Sequence, residues 1–229
     1  MDETRAAQVE AVAALAEPTR RRLYEHVVRQ AAPVSRDEAA AAVGIARATV
    51  AFHLDRLVDD GLLDVVFERR TGRSGPGAGR PSKLYHRAEC SVEVSLPQRH
   101  YDLAGELLAA SVVEADESGE RPTAVLARRA RARGRDLAGV RGGRTGVLEV
   151  LEAGGFEPRT EDDGAITLAN CPFHTLAREH TELVCGMNLQ LLDGVLQGAT
   201  PSGLTARLAP AEGRCCVRME PDERTDPTR

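Results

Sequence analysis

Residues 46–70, ARATVAFHLDRLVDDGLLDVVFERR, combine two kinds of hydrophobic pattern. Val50, Leu54 and Leu57 follow the i, i+4, i+7 spacing of one buried helix face. After Gly61, the apolar and β-branched residues of LLDVVF favour a strand. The stretch therefore predicts a helix that ends before Gly61 and is followed directly by a strand.

The flanking sequence predicts the partners of this helix. VEAVAALAEPTRRRLYEHVVRQ indicates two helices, the second with Pro18 in its first turn. Ser35 and Glu38 form a capping-box pattern that predicts a short helix ending at Gly44. The turn-rich TGRSGPGAGRPS and the strand-like KLYH follow later. Helix, short helix, turn, helix and two-stranded hairpin is the order of a winged helix-turn-helix domain.

A helix in the DNA major groove presents its exposed N-terminal residues to the base edges. On the face opposite the buried stripe, the candidate DNA contacts are Arg47, Thr49, Phe52 and, on the flank, His53. Arg47 matches a guanine, and Thr49 or Phe52 matches a thymine methyl group. The alternatives are a solvated arginine for Arg47, core packing for Phe52, and packing within the domain for His53.

The predicted hairpin loop is the one clearly basic region of the chain. Residues 65–88 hold six basic residues and one acidic residue, although the whole chain has a net charge of −5. Phosphate contacts are expected from five of these six basic side chains, which lie in or beside the loop: Arg69, Arg70, Arg73, Arg80 and Lys83. The alternative is a solvated, flexible loop.

The chain start, MDETRAAQVE, lacks the apolar core of a signal peptide, and no apolar run reaches the ~18 residues of a membrane helix. We therefore expect a cytoplasmic protein without a membrane partner. Thiols stay reduced in that compartment, so clustered cysteines indicate metal or redox chemistry before disulfides.

The expected fold class is α+β. The DNA-binding domain is assigned to residues 1–90, a helical connector or dimerisation region to 91–145, a mixed α/β sensor domain to 146–220, and a disordered tail to 221–229. Within the sensor domain, one amphipathic helix is predicted from His174 to residue 198, between two hairpins, the first turning at Asp163 and Gly164.

Four of the five cysteines, Cys171, Cys185, Cys215 and Cys216, lie in the last quarter of the chain. Soft thiolate ligands suit an iron–sulfur cluster or zinc, and the compact CxxC pattern of structural zinc sites is missing. Adjacent strand residues point to opposite faces, so Cys215 is favoured as a ligand and Cys216 is its alternative.

Three cysteine thiolates leave the fourth ligand of the predicted metal site unassigned. His174 is preferred, and His180, Cys216, a carboxylate or a small molecule are the alternatives. Buried cysteines that act as small apolar residues remain the competing interpretation of the cluster. The lone Cys90 is expected to be structural.

Several of these segments resemble a known group of regulators. LAEPTRRRLYEHV and ARATVAFHLDRLVDDGLL are similar to ArsR-type winged helix-turn-helix proteins, over roughly residues 8–90. NCPFHTLA, ELVC and RCC resemble the SufR-like iron–sulfur sensors. The resemblance implies a homodimer on an inverted repeat of double-stranded DNA, and a cluster, 4Fe–4S favoured over 2Fe–2S, whose state sets DNA affinity. One cysteine of the SufR pattern has no counterpart here; Ala199 stands near its place.

The leading hypothesis is therefore a transcriptional regulator that senses redox, iron or cluster status. The alternative is a repressor that binds a small organic effector, or zinc, in its C-terminal domain. An enzyme is not expected, because no orienting group or oxyanion motif accompanies the Cys171/His174 pair.

Overall fold

The helices and strands of the chain fall into two units, Met1–Val94 and Ser95–Arg229. The computed structural model describes residues 3–69, 81–89, 92–211 and 213–222. The region 91–145, expected to be a separate connector, belongs almost entirely to the second unit. Its helices contribute Leu107, Leu126 and Ala130 to the same core as the later strands.

The first unit has the predicted order of helices and a three-stranded antiparallel sheet. Its elements are α1 (Glu3–Ala14), α2 (Pro18–Val28), β1 (Val34–Ser35), α3 (Arg36–Val43), α4 (Arg47–Asp59), β2 (Leu63–Glu68) and β3 (Ser82–Arg87). β3 is the central strand, between β1 and β2. This arrangement confirms an N-terminal helix-turn-helix domain within an α+β fold.

Local hydrogen bonds begin the helices where the sequence predicts. The backbone N–H of Glu38 donates to Ser35 Oγ at 3.2 Å, and that of Ser35 donates to Glu38 Oε2 at 2.8 Å, which completes the capping box. Gly44 ends α3 with a φ of 72°, a left-handed conformation that suits glycine. The short α3 is therefore defined at both ends by its own sequence.

The core of the first unit fixes the orientation of α4. Val50, Leu54 and Leu57 are fully buried, as predicted, against Leu23 of α2 and Leu63 of β2 in the same cluster. Burial of such side chains stabilises a fold by about 1.5–3 kcal/mol each. The opposite face of α4 is consequently left towards solvent.

The second unit packs helices against a four-stranded antiparallel sheet. Its elements are α5 (Tyr101–Ser118), α6 (Pro122–Ala138), α7 (Gly143–Ala153), β4 (Pro158–Thr160), β5 (Ile166–Leu168), α8 (His174–Glu179), α9 (Thr181–Gly198), β6 (Leu204–Leu208) and β7 (Val217–Pro221). The strand order is β4-β5-β7-β6. Both predicted hairpins are present, and Gly164 turns the first one with a φ of 80°.

Helices α6 and α9 approach each other at backbone distance through glycines. A Cβ atom built at Gly134 would lie 1.9 Å from the carbonyl oxygen of Leu191, and one at Gly194 would lie 2.1 Å from that of Arg131. Only glycine permits such an approach. The position of α9 is therefore set directly by the backbone of α6.

The single helix predicted over 174–198 is interrupted. His180 has φ −129° and ψ 56°, which separates α8 from α9. The hydroxyl of Thr181 donates to the carbonyl oxygen of Ala177 at 2.8 Å. A hydroxyl that competes for a backbone acceptor favours such an interruption, although no glycine or proline marks it.

The chain end also differs slightly from its prediction. β7 extends through Pro221, the first residue of the expected tail, while residues 223–229 lie outside the described residues. Across the residues that the structure describes, no helix combines the length and apolar character needed to cross a membrane.

Candidate DNA interface and cysteine site

The exposed face of α4 carries three of the four predicted base contacts. Arg47 and Thr49 are exposed, and the ring of Phe52 is 67% exposed. The Nε atom of Arg47 lies 2.5 Å from a carboxylate oxygen of Asp37 on α3, in a pair whose side chains are both more than two-thirds exposed. Pairs of this kind contribute little to stability, so the guanidinium can exchange this partner for a base edge.

His53 occupies a different position from the one expected of a DNA contact. Its side chain is only 13% exposed, and its Nδ1 atom lies 3.7 Å from Glu17 Oε2. Glu17 is the N-cap of α2 and accepts hydrogen bonds from the backbone N–H groups of Thr19 and Arg20. His53 therefore packs against the start of α2, which is the alternative that the sequence left open.

Lys83 is held inside the domain. Its Nζ atom donates to Asp55 Oδ1 at 2.6 Å, and Tyr85 Oη donates to the same carboxylate oxygen at 2.6 Å. Arg36 donates to both oxygens of Asp55 and, through Nε, to Tyr85 Oη at 2.8 Å. This network joins α4 to α3 and β3, so the Lys83 ammonium helps to position α4.

The charges of this network shift the pKa values of its members. Burial raises the pKa of Asp55, but the hydrogen bonds from Lys83 and Tyr85 and the charge of Arg36 outweigh it, and the net pKa is lowered. Burial, followed by the hydrogen bond to Asp55, raises the pKa of Tyr85 to about 12. Because its members lie far apart in the chain, no sequence pattern indicates this network.

The predicted wing contacts are mostly outside the described residues. Arg70, Arg73 and Arg80 fall within the undescribed stretch 70–80, and Arg69, directly after β2, is exposed. Phosphate contacts by these four arginines stay a prediction.

The second candidate site gathers four thiols from three parts of the chain. Cys171 follows β5, Cys185 lies in the second turn of α9, and Cys215 and Cys216 immediately precede β7. All four are free cysteines. The three segments bring these thiols together: Cys171 lies beside Cys215, and Cys216 lies beside both Cys215 and Cys185.

Burial and mutual contact raise the pKa values of three of the thiols. The hydrogen bond with Cys215, together with burial, raises the pKa of Cys171 far above its usual range. The hydrogen bond with Cys171 lowers the pKa of Cys215, but the bond with Cys216 and burial raise it to about 11. Burial raises the pKa of Cys185 as well. Metal binding here would release these protons.

Both adjacent cysteines lie at the site, the favoured Cys215 as well as its alternative Cys216. Cys215 is buried and contacts Cys171, while the half-buried Cys216 contacts Cys185 of α9. Strand alternation does not apply, because the strand begins only at Val217. The predicted fourth ligand, His174, instead starts α8 with an exposed side chain, and His180 is exposed too.

Polar groups that the sequence did not single out surround the thiols. Asn188 is 1% exposed and donates to Cys215 Sγ at 3.3 Å. Arg99 Nη1 donates to the carbonyl oxygen of Cys171 at 3.2 Å and to the side-chain oxygen of Asn170. Its charge acts to lower the pKa of Cys171. An anionic metal group at this site would have a positive charge and an amide donor beside it.

The geometry differs from that of a site for one metal ion. Among the described ranges, no group of three or more His, Cys, Asp or Glu side chains is arranged to hold a single ion. A single zinc ion gathers its sulfur ligands around one centre at about 2.3 Å.

A cavity of about 350 Å³ lies elsewhere in the second unit. Its lining is mainly apolar and includes Leu137, Val150 and Phe173, together with the charged Glu106 and Arg133. Phe173 follows the first cysteine of the site by two residues. Apolar cavities with a few polar groups are typical of small-molecule sites.

One comparison with known proteins gives a match. Residues 15–66 match a family model described as a helix-turn-helix domain. The matched range contains α2, α3 and α4 and ends within β2. Searches of curated proteins and of solved structures found no match. The matched domain supports DNA-binding transcription regulation, and it suggests a regulator rather than an enzyme.

Proposed function

We propose that this chain is a transcriptional regulator that holds an iron–sulfur cluster in its second unit and binds an inverted-repeat operator as a homodimer. The observation that carries the proposal is the meeting of Cys171, Cys185, Cys215 and Cys216 at one place. Cys215 also lies in the hydrophobic core, and Cys171 and Cys216 pack against that core, so the metal content of the protein decides between cluster binding and core packing.

The ligands proposed are Cys171, Cys185 and Cys215, with Cys216 as the fourth in place of His174. When bound, a cluster supplies reversible electron transfer and sensitivity to oxygen and iron supply. The chain supplies the thiolates, the amide of Asn188 and the positive charge of Arg99.

Regulation requires that the loaded and metal-free forms differ in DNA affinity. Couplings of this kind typically amount to about 1–3 kcal/mol, or 5- to 150-fold. On the DNA side, Arg47, Thr49 and Phe52 form the exposed face of α4 that is proposed to read the bases.

Dimerisation is proposed to use the outer face of α5. Val112 and Val113 are 60% and 59% exposed there, and a Cβ atom at Gly105 would meet nothing within 4 Å. A Val113→Glu variant is expected to sediment as a monomer and to lose affinity for an inverted repeat while it remains folded. If Val113→Glu still forms a dimer, α5 is not part of the dimer interface.

The cluster is tested by purification without oxygen, followed by iron and sulfide determination and absorption spectroscopy. We expect iron and sulfide in the wild-type chain and at least a tenfold loss in Cys171→Ser and Cys185→Ser. Cys90→Ser, outside the four-thiol group, is the matched control and should keep both. A Cys216→Ser variant with full cluster content would exclude Cys216 as the fourth ligand. Iron-free wild-type protein that still regulates would refute the proposal.

The 350 Å³ cavity favours a second candidate, a repressor that responds to a small organic effector. Its apolar lining and the charged side chains of Arg133 and Glu106 suit a molecule with an apolar body and a charged end. Normal regulation by the Cys171→Ser and Cys185→Ser variants would support this candidate over the cluster.

A further inference from the structure

Asn188 is the most deeply buried polar side chain near the thiols. It lies three residues after Cys185 on α9 and is 1% exposed. Its Nδ2 atom donates to Cys215 Sγ at 3.3 Å, whereas its Oδ1 atom is buried and has no hydrogen-bond partner within the described part of the chain. Among the described residues, the amide N–H group therefore has only a sulfur acceptor, and the amide oxygen has no donor.

Stability of the metal-free chain does not explain an asparagine here. Its neighbours on α9, Met187, Leu191 and Leu192, are buried and apolar. A leucine has the same number and branching of side-chain heavy atoms and would leave no unsatisfied polar atom, and an unsatisfied buried atom costs free energy. Residues that a fold retains against its own stability are found at functional sites.

We propose that Asn188 is a binding residue of the cysteine site, whose amide N–H donates to the Cys215 sulfur of the metal-bound form. This inference rests on the proposed function. A thiol can donate a hydrogen bond to the amide oxygen or accept one from the amide N–H group. A metal-bound thiolate can only accept, so metal binding favours the N–H donation that the structure shows. Asn188 thus stabilises negative charge on the sulfur of the group that the site holds.

Two opposite effects of an Asn188→Leu substitution follow. In the metal-free protein, removal of the unsatisfied amide is expected to raise the melting temperature by about 2–4 °C. In the loaded protein, loss of the donor is expected to speed iron release to a chelator by about 10-fold, because outer-shell partners typically change metal affinity by 10- to 100-fold. The reduction potential should also fall, since the reduced form carries more negative charge.

The experiment compares wild type, Asn188→Leu and Met187→Leu, each metal-free and after anaerobic reconstitution. Met187→Leu exchanges a buried neighbour for a side chain of similar size and should leave both properties nearly unchanged. Asn188→Asp keeps the shape of the side chain and removes the N–H donor, and it replaces Asn188→Leu in the test if the leucine variant does not fold. Faster iron release and a lower reduction potential than in wild type are again expected.

The outcomes separate the two proposals. If the wild-type chain takes up no iron, the proposed cluster is wrong, and the role of Asn188 fails with it. If the wild type loads but Asn188→Leu releases iron at the wild-type rate with an unchanged potential, only the role of Asn188 is wrong. A lower melting temperature of metal-free Asn188→Leu would show that Asn188 is a structural residue and would also overturn the inference.

Discussion

Substitution of Gly194 by alanine is expected to destabilise the second unit, although alanine is the better helix former. The added Cβ would lie 2.1 Å from the carbonyl oxygen of Arg131, and 2.9 and 3.0 Å from its C and Cα atoms. All three are backbone atoms of α6, so no side chain can rotate away. The helices would have to separate by about 1 Å to restore ordinary van der Waals contact.

The magnitude follows from two opposing terms. Glycine to alanine within a helix gains about 1 kcal/mol of intrinsic propensity, whereas overpacking of a core costs about 1–3 kcal/mol and occasionally more. With contacts to three backbone atoms we take the upper end, for a net loss of about 2 kcal/mol. The melting temperature should fall by about 4–8 °C.

Gly186 on the same helix provides a matched control, because a Cβ atom there would meet nothing within 4 Å. Gly186→Ala is expected to gain up to about 1 kcal/mol. Urea unfolding followed by circular dichroism measures both variants. If Gly194→Ala were as stable as Gly186→Ala, the close approach of α6 and α9 would not exist in solution.

Two further predictions concern the first unit. Asp55→Ala should destabilise it by removing the shared acceptor of Arg36, Lys83 and Tyr85, and thermal melting should detect the loss. Because the pKa of Asp55 is lowered in the folded protein, its contribution to the free energy of unfolding is present above the unfolded pKa of about 3.9 and disappears as the pH falls through the folded pKa. The stability difference between wild type and Asp55→Ala should therefore shrink below about pH 4. A difference that stays constant there would contradict this. Arg47→Ala should weaken specific DNA binding by about 1–3 kcal/mol in a gel-shift titration, whereas Arg56→Ala, which removes a partner of Asp60, should change it much less.

Features encoded by neighbouring residues were predictable from the sequence. The capping box of Ser35 and Glu38 and the buried stripe of α4 depend on spacings of three or four residues, and both are present. The interruption at His180 was missed because it depends on a hydroxyl that competes with the helix rather than on a glycine or proline.

Features created by tertiary packing were not predictable. The approach of Cys216 to Cys185 depends on a loop that precedes β7, where the alternation rule used to choose between Cys215 and Cys216 does not apply. Asn188 had no sequence signal at all, because an asparagine within an apolar helix is equally compatible with an exposed position. The basic character of Lys83 suggested DNA, while its actual partner, Asp55, lies 28 residues earlier.

The Asp55 network has a consequence for how DNA affinity can be controlled. Its hydrogen bonds connect α4 with α3 and with β3, the strand that closes the wing hairpin. The network therefore holds α4 and β3 together as one rigid element. A signal that leaves this network intact cannot change the position of α4 relative to β3. It can only move the domain as a whole or change the spacing of two copies along the double helix.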